Sequence, residues 1–160
     1  MDMGCYTLDC RMTAPVALQE AFEFFQDPSN LSRITPPWLS LRITSPQPVE
    51  MQRGAVITYE IRWLGLRLSW KTVITAYEPP FLFVDEQAAG PYRLWRHRHT
   101  FRPGIEGTVV ADHVDYMLPF GWAGRIVHRL VVRRQLEHIF AFRRHALAAI
   151  WSDATPRAAK

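Results

Sequence analysis

The chain holds 160 residues, 48% hydrophobic and 21% charged, which places it in the range of one globular domain and outside the charge-rich composition of disorder. A formal charge of +4 is small for a dedicated nucleic-acid binder, and no segment approaches the run of about eighteen apolar residues that inserts stably in a membrane. The N-terminus shows no apolar run behind a basic start, and Cys5 and Cys10 would lie on opposite faces of a strand holding both, so the expectation is a cytoplasmic chain without a disulfide.

Tyr6, Leu8, Cys10 and Met12 alternate with Thr7, Asp9 and Arg11, the period of a half-buried strand. Thr13 is placed to cap a following helix, with Pro15 in its first turn and Leu18, Ala21, Phe22 and Phe25 at helical spacing. Asp27-Pro28 ends that helix, and a second short one fits 30–34, capped by Asn30 and stopped by Pro36-Pro37. From 41 to 119 the pattern changes to runs rich in Val, Ile, Thr, Tyr and Trp, punctuated by Gly and Pro. Strands are expected at 41–45, 54–63, 66–77, 81–88, 92–102 and 107–118, within about two to four residues, with neighbours antiparallel. Leu64-Gly65 reads as a tight hairpin, and Pro79-Pro80, Gly90-Pro91 and 103–107 as further turns. After Pro119-Phe120-Gly121 a single helix of about thirty residues should run to Trp151, far above the average length. Val132, Leu136, Ile139, Phe140, Leu147 and Ile150 share one stripe of it, which should face the sheet. This leaves one domain over 1–151 and a polar tail over 152–160 that reads as disordered.

Strand, two short helices, six strands and a long helix is an order that resembles the START-like or SRPBCC superfamily. The local matches are Asp27-Pro28 with Ile34-Thr35-Pro36, Tyr77-Glu78-Pro79-Pro80, Phe83-Val84-Asp85-Glu86-Gln87 and Gly90-Pro91-Tyr92. They continue in Trp95-Arg96-His97-Arg98-His99-Thr100-Phe101, Gly107-Thr108, Asp112, Tyr116 and Leu118-Pro119-Phe120-Gly121. The resemblance implies an α+β helix-grip fold, in which a curved antiparallel sheet of about seven strands wraps around the long C-terminal helix. It is similar to the branch labelled ligand-binding or polyketide cyclase/dehydratase-like, a scaffold that carries transport, cyclisation and regulatory roles alike.

Strand parity then selects candidate site residues. Arg96, Arg98 and Arg102 belong in water, which turns Trp95, His97, His99 and Phe101 inward. The same argument turns Asp112 and Tyr116 inward on the last strand, and Phe81, Phe83, Asp85 and Gln87 on the strand before the histidines. Taken one at a time Trp38, Trp63, Trp70, Tyr59 and the phenylalanines before the histidines read as core, but their number points to an aromatic cavity that Tyr59, Trp70, Phe83 and Trp95 would line. Arg129 and Arg143 fall within the apolar stripe of the long helix, and Arg143 either pairs with Asp112 or Asp85 or snorkels to solvent.

His97 and His99 admit three readings: hydrogen-bonded interior residues, ligand-orienting or acid-base groups working with Asp112 and Tyr116, or metal ligands. An H-x-H pair lacks an evident third ligand in the sequence, so the expectation is a protein without metal or cofactor. The glycines offer no phosphate loop and the serines no nucleophile elbow. The resulting partner is an apolar, ring-containing small molecule, carried or sensed; a cyclase/dehydratase-like reaction and a protein-interaction regulator are the alternatives. Nucleic acid and stable membrane insertion are not expected, and no feature bears on oligomeric state.

Overall fold

The structure is a computed structural model that describes residues 4–154. Seven strands form one antiparallel sheet in the order β1-β7-β6-β5-β4-β3-β2. They are β1 (Tyr6–Ala14), β2 (Arg42–Ile43), β3 (Val56–Trp63), β4 (Leu66–Glu78), β5 (Leu82–Ala89), β6 (Leu94–Gly104) and β7 (Gly107–Met117). Helices α1 (Leu18–Gln26), α2 (Gly121–Val127) and α3 (Arg133–Ala154) complete the fold, with α3 laid along the inner face of the curved sheet. The expected element order and helix-grip architecture are those of the molecule.

Several local expectations are corrected. β1 continues to Ala14, so Thr13 is a strand residue paired with Val109, and α1 starts at Leu18 without a side-chain cap. The second short helix is a 3-10 turn that begins at Pro28, and Asp27 rather than Asn30 caps it, accepting from the Ser29 amide. Asn30 instead donates to the Phe24 carbonyl and ties the turn back to α1. A further 3-10 turn, Pro37–Leu39, follows. The C-terminal helix is interrupted: a π-helical turn at His128–Val132 separates α2 from α3. That wider turn puts Gly124, His128, Val132 and Leu136, each four apart, on one buried row. Arg129 is exposed, not part of the stripe. Phe81 precedes β5 and is 54% exposed, and Trp38 is equally exposed, with its ring edge-on to Phe142. α3 runs past Trp151 to Ala154, so the polar tail begins later than expected; residues 155–160 lie outside the described residues.

Two packed clusters hold α3 in place. At its C-terminal end Leu147 and Trp151 meet Phe22, Phe83, Phe101 and Val110; at its N-terminal end Val132, Leu136 and Phe140 meet Val114 and Tyr116. Both draw chiefly on β1, β5, β6 and β7, so the β3–β4 half of the sheet faces the helix without a packed cluster between them. Gly107 lets β1 and β7 close: at φ +128° a Cβ there would sit 2.1 Å from the Ala14 carbonyl oxygen. The next residue, Thr108, is fully buried and donates its hydroxyl to the Val16 carbonyl, fastening the start of α1 to β7.

Phe101 is completely buried against Phe22 and Phe25, with ring centroids 5.3 Å away in both cases. Phe101→Ala should therefore lower the unfolding free energy by about 3–5 kcal/mol, the usual cost of an emptied aromatic site. Urea denaturation checks this, and a loss under about 1 kcal/mol would show that the α1 cluster is not the anchor of the helix.

Candidate functional site

Between β3–β4 and α3 lies a cavity of about 530 Å³. Ile57, Tyr59, Ile61, Leu68 and Trp70 line it from β3 and β4, and Leu136, Ile139 and Phe140 from α3. The two 3-10 turns close one side with Leu31, Ile34 and Leu39, and α2 another with Ala123 and Val127. Tyr59 stacks on Trp70 at 5.8 Å, and Trp95 meets Trp70 edge-on at 5.4 Å, so aromatic faces form a continuous strip of wall. Burial pushes the Tyr59 and Tyr92 hydroxyls upward in pKa, so both stay protonated donors.

The floor is polar. Antiparallel register sets Asp85 opposite His97 across β5–β6, and His99 opposite Asp112 across β6–β7. These four side chains converge because strand residues two apart share a face. His97 Nε2 lies 3.1 Å from Asp112 Oδ1 and its Nδ1 3.8 Å from Asp85 Oδ2. His99 Nε2 lies 3.0 Å from the same Asp85 oxygen and its Nδ1 2.7 Å from Asp112 Oδ1, the latter off the line of a ring N–H. The imidazole centroids lie 3.8 Å apart with the rings tilted by 39°, and Phe83 stacks on His99 at 4.2 Å. From α3, Arg143 reaches Asp112 at 3.7 Å, with its guanidinium 5.1 Å over Phe25 and 5.9 Å over Phe140. Pairing, not snorkelling, is what the side chain does; its exposure is 11%.

Electrostatics divide the two histidines. Burial drives both toward neutrality; in His97 the neighbouring His99 adds to this and prevails over the carboxylates, so its pKa falls. In His99 the hydrogen bonds to Asp112 and Asp85 prevail over burial, so its pKa rises. Burial also opposes ionisation of both carboxylates. Arg143 and the two histidines overcome it at Asp112, which stays well below the usual carboxylate range, and His99 leads the same effect at Asp85. The cluster thus favours the charged form at His99 more than at His97.

Of the residues singled out from sequence, Tyr59, Trp70, Phe83, Asp85, Trp95, His97, His99 and Arg143 line the cavity. Asp112 and Tyr116 do not, which corrects the expectation that both line it. Asp112 sits behind the imidazoles, and the Tyr116 hydroxyl turns away to His128 Nε2 at 2.8 Å, beside a shallow groove under β1. Phe25, Tyr92, Ile139 and Phe140 were not singled out as site residues; Phe140 was visible on the apolar stripe, but nothing local marks an apolar side chain as wall rather than core. The reason given for expecting no metal also fails, because Asp85 supplies the third donor beside His97 and His99, with all three donor atoms within 4.8 Å of one another.

Residues 14–140 match the model of a family described as polyketide cyclase / dehydrase and lipid transport. No curated protein matches the chain. Among solved structures, a protein from Chromobacterium violaceum shares 10% identity at a TM-score of 0.71, over 91% of this chain and 96% of that one. The di-domain ARO/CYC StfQ of the steffimycin biosynthetic pathway shares 12% at 0.67, over 94% of this chain and 51% of StfQ. Ginseng major latex-like protein 151 from Panax ginseng shares 12% at 0.65, over 92% and 97%. At these identities the likeness is one of fold.

Asp112 and Arg143 should behave as one unit. Asp112→Asn and Arg143→Met each strand a buried partner, at an expected cost of about 1–3 kcal/mol. The double variant should lose less than the sum, by about 0.5–3 kcal/mol, in a denaturant double-mutant cycle. Additive losses would show that the 3.7 Å contact carries no energy.

Proposed function

We propose that this chain, which belongs to the polyketide cyclase / dehydrase and lipid transport family, binds an apolar, ring-containing small molecule between the sheet and α3. The molecule's polar end rests against Asp85, His97, His99 and Arg143. One observation carries the reading: a cavity of about 530 Å³ with apolar and aromatic walls ends on a buried charged cluster. That volume lies in the range that encloses a drug-sized ligand, and such walls supply affinity while a few polar groups supply orientation. Trp70 and Arg143 line the same space, and Trp70 Nε1 and Arg143 Nε are buried without a hydrogen-bond partner among the described residues, within reach of a ligand only through a shift of the side chain. Buried donors left unmade cost about 1–3 kcal/mol each, so an acceptor on a ligand would recover energy that the protein alone does not. Asp112 acts on the ligand only through the imidazoles and Arg143, and Tyr116 packs behind the wall.

The family description names both carriage and reaction. Carriage is favoured because each nitrogen of His97 and His99 already faces a carboxylate, so neither imidazole stands free in the cavity to take a substrate proton. A cyclase- or dehydratase-like reaction is the second reading, supported by StfQ as a fold neighbour from a biosynthetic pathway. A regulator working through surface contacts would leave the deep cavity without a role.

Native mass spectrometry of the protein purified from its own cells should reveal a co-purified small molecule, and N-phenyl-1-naphthylamine should bind with a rise in fluorescence. The Leu68→Trp, Ile139→Trp double variant fills the cavity from both walls and should weaken probe binding at least tenfold, about 1.4 kcal/mol, with its circular dichroism unchanged. Equal binding to the filled variant would refute the cavity as the site. A natural ligand returned chemically altered after incubation would move the assignment from carrier to enzyme.

A further inference from the structure

We infer that Asp85, His97 and His99 form a binding site for one first-row divalent transition metal ion, zinc being the best match. The first argument is donor geometry. Asp85 Oδ2 stands 3.0 Å from His99 Nε2 and 3.8 Å from His97 Nδ1. Ligands held about 2.0–2.2 Å from a tetrahedral ion are roughly 3.3–3.5 Å from one another; both Asp85 separations lie within about half an ångström of that range, and all three donor atoms lie within 4.8 Å of one another.

The second argument is independent of those donors and lies on the far side of the rings. The nitrogens pointing away from Asp85, His97 Nε2 and His99 Nδ1, both face Asp112 Oδ1, at 3.1 and 2.7 Å. An imidazole that ligates a metal keeps its proton on the other nitrogen, and a carboxylate accepting that proton fixes the ring and raises its basicity. Here one buried carboxylate is placed to do so for His97 and lies beside His99 Nδ1 off its N–H line, and Arg143 from α3 holds that carboxylate in turn. A pair of histidines serving only to fill space has no need of this arrangement.

Charge agrees. With neutral imidazoles the two carboxylates exceed Arg143 by one negative charge, so the site is anionic where a cation would sit. The donor set selects the ion class: two nitrogens and one oxygen suit zinc, cobalt or ferrous iron, whereas magnesium and calcium prefer oxygen throughout. Asp85, His97 and His99 line the cavity and Asp112 does not, so the remaining coordination position opens toward the ligand space. The metal's partner there would be an oxygen donor, a carbonyl or phenolate, on the bound apolar molecule. Only this last step rests on the cavity reading; metal binding itself does not.

The test is titration of the full-length, chelator-stripped protein with zinc by calorimetry and with cobalt by visible absorption. The expected result is one equivalent bound below micromolar, with proton release and the absorption of a low-symmetry cobalt site. His97→Ala and His99→Ala should each weaken binding at least a hundredfold, and Asp112→Asn about ten- to a hundredfold. Should the histidine variants fail to fold, Asp85→Asn, which keeps volume and shape, should still weaken binding at least tenfold. The exposed cluster of His113 with Asp9 and Asp115 is the alternative place for a cation, and His113→Gln should leave the titration unchanged. Absence of a stoichiometric site, or affinity lost in His113→Gln and kept in Asp85→Asn, would overturn the inference. N-phenyl-1-naphthylamine binding to the stripped protein separates this from the cavity reading: probe bound by a protein that takes up no metal sinks the metal site alone.

Discussion

A carboxylate withdrawn from water remains ionised only when donors surround it, and Asp112 is the place where this protein meets that demand. It is buried on β7, faces two imidazoles of β6, and receives a guanidinium from α3. Much of the architecture follows. A slip of one residue between β6 and β7 would turn every side chain of the slipped strand to the opposite face and leave Asp112 without either histidine. A rotation of α3 about its axis would remove Arg143. The charge network therefore pins the register of two strands and the orientation of the helix at once, where apolar packing alone tolerates several arrangements.

The same demand explains why the interior is not filled. Packed clusters at both ends of α3 fix its distance from β1, β5, β6 and β7, and a guanidinium with its two aromatic faces occupies the middle. Over β3 and β4 the helix is then held off the sheet, and the 3-10 turns and α2 close the gap at its margins instead of entering it. An Arg in the middle of the helix stripe, in place of a Leu that would collapse on the sheet, is a sequence choice with a volume attached.

What could be read in the sequence was whatever depends on period. Arginines on one parity of β6 announce that His97 and His99 face inward, and alternating Val, Asp and Tyr do the same for β7. The helix stripe exposed Arg143 as an anomaly because a charge among Val, Leu and Phe at helical spacing needs a partner. Readings that depend on depth or on irregular backbone were not accessible. Parity placed Asp112 and Tyr116 on the inner face but could not show that the imidazoles cover one and that His128 draws the other aside. Arg129 sits on the stripe of an ideal wheel, and a π-turn that no local signal marks rotates it into solvent. Asp85 escaped notice as a third donor because its nearness to His97 is a property of β5–β6 register, which hairpin length alone does not determine when the turn spans irregular residues.

Apolar walls and a charged floor divide the work of recognition unequally. Burial against Tyr59, Trp70, Trp95 and Phe140 rewards almost any flat apolar molecule in proportion to its area, and an added or missing methylene changes affinity by about 1–3 kcal/mol. Buried donors discriminate more sharply, since a ligand without an acceptor leaves them unmade while one with an acceptor completes them. Trp70 Nε1 and Arg143 Nε are such donors, carried by opposite walls, one on β4 and one on α3. Satisfying both would take acceptors toward both walls and a shift of each side chain, since neither nitrogen is exposed to the cavity. For any ligand that reaches such donors, the placement of its acceptors discriminates more sharply than its size.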